Sequence, residues 1–214
     1  MKGDILIIKE HHRKAAAEIT RIILPYVREA TEHYIITVAG ESGAGKSELA
    51  AAIAGKMEEE GIDSYIFQQD DFFIFPPKTN AQKRKENIGW VGMGEVKMDL
   101  LEEILNAIRN GIHVIDKPLV IFDEDSIREE RIDLTGKKLI IVEGTYTTAL
   151  ENAGTRVFIN RNAEDTRDAR KERAREHQDE YLEKILSIEH GIISKHKSRA
   201  DIIVHKDYSV TNIQ

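Results

Sequence analysis

The sequence contains no cysteine, which excludes disulfide bonds and thiolate metal sites. It has no apolar run long enough to cross a membrane, and its first residues lack the apolar segment of a signal peptide. The formal net charge of −7 disfavours a nucleic-acid binder that relies on a broad basic face. These absences favour a cytoplasmic globular protein with neither membrane nor nucleic-acid partners, and they leave homo-oligomerisation open.

The 214 residues suffice for one compact domain with a full core. No repeat or linker-like segment divides the chain, so we expect a single domain over residues 1–214. Apolar segments predict strands at residues 5–8, 35–39, 64–67, 138–142, 156–160 and 201–204. Segments with a helical pattern alternate with these strands. This alternation predicts an α/β fold of three layers, with a parallel sheet, helices on both faces and ligands at the carboxyl ends of the strands.

Three other segments have distinct patterns. Helical spacing predicts a helix from His11 to Ala30, which Pro25 is expected to kink or end early. Residues 74–97 contain a Pro-Pro pair, a basic patch and three glycines, and we expect them to form an irregular acceptor-side insertion. Residues 162–198 are typical of charged helix.

The most informative motif lies at residues 40–47, Gly40-Glu41-Ser42-Gly43-Ala44-Gly45-Lys46-Ser47, which match the phosphate-loop pattern G-x-x-x-x-G-K-[ST] between a strand and a helix. The backbone N–H groups of the glycine-rich turn and the helix N-terminus are expected to surround the phosphates of a nucleoside triphosphate. Lys46 is expected to reach the β- and γ-phosphates, and the Ser47 hydroxyl to bind Mg²⁺. A plain glycine turn is the structural alternative.

Acidic residues end two of the predicted strands. Asp70 and Asp71 follow the strand at 64–67, and Glu143 closes the strand at 138–142. Phosphoryl transfer to a hydroxyl needs a group that accepts or orients its proton and ligands for a metal ion. We therefore expect Glu143 to join Ser47 as a Mg²⁺ ligand, whereas an ordinary turn or loop carboxylate is the alternative at each of these positions.

Four motifs follow one another along the chain: the phosphate loop, Gln69-Asp70-Asp71-Phe72-Phe73, Ile141-Val142-Glu143-Gly144 and Ala200-Asp201-Ile202-Ile203. Their order resembles that of the uridine kinase/phosphoribulokinase family of P-loop small-molecule kinases. The resemblance implies ATP-dependent, Mg²⁺-assisted phosphorylation of a hydroxyl on a small metabolite. It implies that Asp70 is the catalytic base, acting with Lys46, and that Phe73 lines the acceptor pocket where uridine kinases have Tyr. Asp71, Lys117 and Tyr146 are further polar candidates for substrate contacts.

The family also carries an arginine-rich lid that closes over the triphosphate, and the resemblance implies such a lid at about residues 162–180. Arg167, Arg170 and Arg173 share one helix face there and suit charge-assisted bonds to phosphate oxygens. Acidic residues are interleaved with these arginines, so a solvated, salt-bridged helix is the alternative.

One departure concerns the acceptor. Uridine kinases carry an Asp that clasps the ribose hydroxyls, but the stretch here is Asn87-Ile88-Gly89-Trp90-Val91, in which Trp90 could cover a substrate or plug the edge of the core. We therefore expect an acceptor other than uridine or cytidine, with a true uridine/cytidine kinase as the alternative. Rivals of another class are a P-loop GTPase, for which the D-x-x-G match at residues 133–136 is misplaced and N-K-x-D is absent, and a non-catalytic ATP-binding regulatory module.

Overall fold

A computed structural model describes residues 6–173 and 179–213. The helices in these ranges are α1 (Glu10–Glu29), α2 (Lys46–Glu59), α3 (Pro77–Glu86), α4 (Met98–Arg109), α5 (Arg167–Arg173) and α6 (Glu180–Ile193). The strands are β1 (Tyr34–Gly40), β2 (Ser64–Gln68), β3 (Val114–Ile121), β4 (Ser126–Asp133), β5 (Leu139–Glu143), β6 (Thr155–Ile159), β7 (Ile202–Val204) and β8 (Val210–Asn212). No helix within the described ranges is both long and apolar enough to span a membrane.

The main sheet has six strands in the order β2-β5-β1-β6-β7-β8. All neighbouring pairs from β2 to β7 are parallel, and only β8 runs antiparallel to its neighbour. Glu143 is in register with Val38 of β1 and with Gln68 of β2. The phosphate loop, the end of β5 and the segment after β2 therefore share one edge of the sheet, where ligands of such folds bind.

Helices cover both faces of this sheet. One core cluster joins α1 and α2 to the sheet through Ile19, Ile23, Leu49 and Ile53. A second cluster lies on the other face and includes residues of α4 together with Phe72, which follows β2. Strand β5 is buried along its whole length, as expected for a strand covered on both faces. The predicted α/β architecture, a mostly parallel sheet flanked by helices, is confirmed.

The N-terminal region differs from its sequence pattern. Residues 6–9 have no regular structure, so the described part of the strand expected at 5–8 is absent, and Ile5 lies outside the described residues. Pro25 does not end α1, which continues to Glu29. The buried Ile19, Ile23 and Val27 hold the helix against the core on both sides of the proline, and this packing outweighs the lost backbone hydrogen bond.

The segment 74–97, expected to be irregular, contains α3 and two short 3₁₀ turns. Helix α3 has almost no apolar face, so hydrophobic periodicity could not reveal it. Its first turn is held by a distant residue, because Asp125 accepts hydrogen bonds from the backbone N–H groups of Lys78 (2.6 Å) and Thr79 (3.2 Å). This cap satisfies donors that a helix leaves without partners at its N-terminus.

The sequence pattern also missed the antiparallel hairpin of β3 and β4, which forms a separate two-stranded sheet. Strand β4 is largely charged, with the sequence Ser-Ile-Arg-Glu-Glu-Arg-Ile-Asp, so it lacks the apolar run on which the other strands were predicted. Cross-strand neighbours include Lys117 opposite Glu130, whose charged groups lie 3.1 Å apart. Opposite charges in register stabilise such a pair.

Candidate active site

A cavity of about 340 Å³ opens where the phosphate loop meets α3, α6 and the ends of β2 and β5. Its polar lining consists of Ser42, Lys46, Ser47, Asp70, Lys78, Asn80, Arg84, Glu143, Thr145, Arg170 and Glu189. Its apolar lining includes Phe73, Phe122, Leu182, Ile185 and Leu186. Catalytic and phosphate-binding candidates therefore share one cavity with a mixed aromatic, aliphatic and charged wall.

The phosphate loop has the backbone that its glycines predict. Gly43 and Gly45 have φ values of 75° and 94°, in the left-handed region that favours glycine. A Cβ on Gly43 would lie 2.7 Å from Cγ of Arg170, so this glycine also permits a close approach of the arginine. Gly40 ends β1, and the Lys46 ammonium donates to the Glu41 carbonyl oxygen at 3.0 Å. The loop therefore stands between β1 and α2 with its lysine folded over it.

Ser47 and Glu143 lie side by side at this edge. The Ser47 hydroxyl donates to Oε1 of Glu143 at 3.0 Å. Burial and, less strongly, the nearby Asp70 carboxylate raise the pKa of Glu143 to about 7, against the opposing effects of Lys46 and of the Ser47 hydrogen bond. Asp70 is half-buried and lines the same cavity. Two carboxylates are thus kept close together beside the lysine of the phosphate loop.

This donor set fits Mg²⁺. The ion prefers oxygen ligands and usually takes one or two carboxylates together with substrate phosphates and water. Within the described residues no group of three or more His, Asp or Glu side chains could hold a metal by itself. A Mg²⁺ ion that also binds nucleotide phosphates and water needs fewer ligands from the protein. A serine hydroxyl beside a buried carboxylate can supply them, and Ser47 and Glu143 are the residues that would hold the ion.

The three lid arginines are placed differently. Arg170 is buried and lines the cavity, and its guanidinium donates to the Ala163 carbonyl oxygen at 2.7 Å and to the Thr166 hydroxyl. Arg167 is exposed and lies 3.5 Å from Glu183 of α6. The side chain of Arg173 and residues 174–178 of the expected lid lie outside the described residues. Of the two lid arginines whose side chains are described, Arg170 is the one that lies at the phosphate loop.

Of the predicted substrate contacts, Phe73 lines the cavity. Asp71 is buried elsewhere, where it accepts from the Lys117 ammonium and from the Val120 backbone N–H, both at 3.0 Å. Trp90 donates to Oδ1 of Asn80 at 2.9 Å. Tyr146 is buried, and its pKa is raised by burial and by neighbouring carboxylates. Neither Asp71, Trp90 nor Tyr146 is among the described residues that line the cavity, and their roles in binding stay predictions.

Sequence reasoning missed a charged cluster in the cavity wall. Arg84 donates to both carboxylate oxygens of Glu95, at 2.5 and 3.0 Å, and its Nη2 lies 3.5 Å from Glu189. Asn80 joins the same group by donating to Glu95 at 2.6 Å. Arg84 belongs to the basic run at 83–85, which is the only local signal, whereas Glu189 reaches the site through α6. No spacing in the sequence connects these distant positions.

Residues that are distant in the sequence contact the phosphate loop on the side of α1. The Tyr208 hydroxyl donates to the Ala44 carbonyl oxygen at 3.1 Å and accepts from Arg161 at 2.7 Å. His12 of α1 lies 3.1 Å from the same hydroxyl. A Cβ on Gly45 would come within 2.8 Å of Tyr208 and 2.9 Å of His12. This contact explains why the loop needs glycine at position 45 in addition to its left-handed backbone.

These features define a P-loop nucleotide-binding fold with a candidate phosphotransfer site. The sequence profile described as "Phosphoribulokinase / Uridine kinase family" matches residues 35–160, which is more than half of the chain. The chain therefore belongs to the phosphoribulokinase/uridine kinase family.

Two curated relatives illustrate the range of this likeness. The chain is 25% identical over 195 residues to the bifunctional alpha-galactosidase/sucrose kinase AgaSK of Mediterraneibacter gnavus, covering 85% of this chain and 21% of that protein. It is 29% identical over 111 residues to a uridine kinase of Clostridium botulinum (strain Kyoto / Type A2), covering 51% of this chain and 52% of that protein. The matched part thus spans about half the length of the uridine kinase and about a fifth of the bifunctional protein.

Solved structures support the fold. A possible uridine kinase from Bacillus stearothermophilus superposes with a TM-score of 0.66 at 15% identity, covering 89% of this chain and 97% of that one. The D-glycerate 3-kinase of Cryptococcus neoformans superposes with a TM-score of 0.60 at 10% identity, covering 96% and 100% of the two chains. At these identities the likeness concerns the fold alone.

Proposed function

We propose that the protein transfers the γ-phosphate of ATP to a hydroxyl group of a small metabolite, assisted by Mg²⁺. The observation that carries this proposal is that Lys46, Ser47, Glu143 and Asp70 line one cavity at the carboxyl edge of the sheet. Phosphoryl transfer depends mainly on positioning and on electrostatic stabilisation, so convergence of a lysine, metal ligands and a base is its main structural requirement. We also propose that residues 1–214 act as one kinase domain.

Each residue has a distinct proposed role. Lys46 stabilises the negative charge that develops on the transferring phosphoryl group, and Arg170 neutralises phosphate oxygens beside Gly43. Asp70 accepts or orients the proton of the attacking hydroxyl. Ser47 and Glu143 would hold Mg²⁺, which would neutralise negative charge on the phosphate oxygens. The backbone N–H groups of the loop, including that of Ser42, bind the phosphates that Lys46 contacts, and the N–H of Ala44 joins them when it leaves the Glu41 carbonyl oxygen, to which it donates at 3.1 Å.

The acceptor is proposed to be a metabolite other than uridine or cytidine. Gly89 stands where the resemblance would require a ribose-binding Asp, and it lies in an exposed turn, where its N–H is bonded to Oδ1 of Asn87 at 3.0 Å. The similar proteins described above are named as sucrose, uridine and D-glycerate kinases, so the fold accommodates chemically different acceptors. A true uridine/cytidine kinase is the alternative within this family.

The proposal is tested by ATP consumption against a panel of nucleosides, pantothenate, sugars, glycerate and ribulose phosphate. We expect acceptor-dependent formation of ADP, and Lys46→Ala should lower kcat at least ~100-fold because it removes the charge next to the transferring group. Lys56→Ala on the same helix is the matched control, since the Lys56 ammonium pairs with Glu59 at the surface.

Two outcomes contradict this function. Nucleotide binding without transfer to any acceptor indicates a regulatory module, and GTP hydrolysis without an acceptor indicates a GTPase. Near-normal turnover of Lys46→Ala contradicts the role of the phosphate loop. Efficient uridine phosphorylation, with kcat/KM above about 10⁴ M⁻¹s⁻¹, leaves kinase activity in place and makes the uridine/cytidine alternative correct.

A further inference from the structure

We infer that the phosphate acceptor is an uncharged molecule with several hydroxyl groups, and that Glu189 accepts hydrogen bonds from those hydroxyls. This inference rests on the proposed kinase function and names its substrate class. It is carried by the part of the cavity wall that α3, α6, the β3–β4 turn and the segment after β2 contribute, which we call the acceptor wall. The acceptor wall consists of Phe73, Lys78, Asn80, Arg84, Phe122 and Glu189.

The charge balance of the acceptor wall argues against an anionic acceptor. Its less exposed cation, Arg84, is already paired with two carboxylates, through a two-point contact with the fully buried Glu95 and a 3.5 Å approach to Glu189. Its other cation, Lys78, is exposed and donates to the Asp123 carbonyl oxygen at 3.1 Å. Asp70 adds a further carboxylate to the same cavity.

These groups leave no excess of positive charge for a carboxylate or phosphate on the acceptor. The positive charges here are the two of Arg84 and Lys78. The negative charges are the three carboxylates of Glu95, Glu189 and Asp70, so they outnumber the positive ones. Lys46 and Arg170 lie at the phosphate loop, where the triphosphate of ATP requires them. An anionic acceptor would therefore face a net negative group of side chains, formed by the acceptor wall together with Glu95 and Asp70, as well as a negative γ-phosphate, and like charges repel strongly in a partly buried site.

Uncharged hydroxyl groups suit this wall. A carboxylate such as Glu189 can accept hydrogen bonds from two O–H donors, and bonds to an ionised acceptor are stronger than neutral ones. Asn80 offers an amide, of which one N–H is bonded to Glu95 and the carbonyl accepts from Trp90. Phe73 and Phe122 supply flat apolar surfaces against which the C–H face of a ring can pack. The chemistry matches a sugar or sugar alcohol.

The test uses pairs of acceptors that share a carbon skeleton and differ in charge. Glucose is compared with gluconate, fructose with fructose 6-phosphate, and glycerol with glycerate, each with ATP and Mg²⁺. We expect the preferred acceptor to be uncharged, with kcat/KM at least tenfold above that of its charged partner. A preferred acceptor that carries a carboxylate or phosphate overturns this inference and leaves the kinase function intact. Absence of transfer to any acceptor, with ATP still bound, contradicts the kinase function itself and this inference with it.

A substitution tests whether Glu189 accepts the hydrogen bonds of the acceptor hydroxyls. Glu189→Gln should raise KM for the uncharged acceptor about tenfold, leave KM for ATP unchanged, and reduce the preference over the charged partner. Glu180→Gln, an exposed position on the same helix, is the matched control and should change none of these values. If Glu189→Gln raises KM for ATP and for the acceptor equally, or leaves both unchanged, Glu189 does not bind the acceptor and the inference is wrong.

Discussion

The hydroxyl of Tyr208, near the C-terminal end of the chain, lies 3.1 Å from the carbonyl oxygen of Ala44 in the phosphate loop. The direction of the hydrogen bonds around it is fixed. The backbone N–H of Lys9 can only donate, so Nδ1 of His12 accepts it at 3.1 Å, and neutral His12 carries its proton on Nε2. His12 and Arg161 then both donate to the Tyr208 oxygen, which leaves its own proton for Ala44.

This arrangement predicts that Tyr208→Phe weakens ATP binding more than it slows transfer. The variant keeps the ring but removes the bond that holds the Ala44 carbonyl, and one such bond is worth about 1 kcal/mol. We expect KM for ATP to rise about fivefold with kcat within about twofold of the wild type, measured by steady-state kinetics. Tyr26→Phe, which alters an exposed tyrosine, is the control. An unchanged KM for ATP would mean that Tyr208 does not position the loop.

The buried His12 predicts a pH-dependent stability. Burial, followed by the neighbouring His11, lowers the pKa of His12 from 6.5 to about 4. The unfolded chain then binds a proton between these pH values that the folded protein does not, so the free energy of unfolding should fall as the pH drops from 6.5 towards 4. We expect a loss of about 3 kcal/mol from this group, seen in urea titrations at pH 7 and pH 4.

His12→Gln removes the titrating group and should flatten that pH dependence. His205→Gln, which alters a histidine bonded to Thr211 at the surface, serves as the control and should keep the dependence of the wild type. If His12→Gln and the wild type lose the same free energy between pH 7 and pH 4, the folded protein does not hold His12 in its neutral form.

Asp71 is predicted to matter for stability rather than for catalysis. Asp71→Asn keeps an acceptor for the Val120 N–H but leaves the buried Lys117 ammonium without its buried partner. Because Glu130 still lies 3.1 Å from that ammonium, we expect a loss of about 2 kcal/mol, below the ~3–5 kcal/mol typical of a broken buried pair. Denaturant unfolding measures it, with Asp63→Asn at the exposed pair with Lys137 as the control.

The same variant should keep kcat within about threefold of the wild type at a temperature where it stays folded, since base catalysis contributes a hundredfold or more. A loss of transfer with unchanged stability would mean that the base is Asp71 and that the family register is shifted by one residue.

The sheet and the phosphate loop could be predicted because their signals are local. An apolar run such as that of β5 indicates a buried strand by itself, and residues 40–47 carry their chemistry in consecutive positions. Strand boundaries differ from those expected by a residue or two, as is usual for such ends.

The acceptor side could not be predicted because it is built from long-range contacts. Helix α3 depends on Asp125, which is more than forty residues away, for the cap of its first turn. Arg84 and Glu189 meet from helices α3 and α6, and neither has a spacing that signals the other. Pattern reasoning identifies what a segment can do alone, whereas these residues acquire their surroundings only when the fold brings them together.

The role of Asp70 tests the proposed chemistry most directly. In a single-turnover measurement with ATP, Mg²⁺ and the preferred acceptor, Asp70→Asn should bind nucleotide with a Kd within about threefold of the wild type. The rate of phosphoryl transfer should fall at least ~100-fold, because the amide cannot take the proton of the attacking hydroxyl. Transfer at a rate near that of the wild type would contradict the assignment of Asp70 as the base and the site that has been built around it.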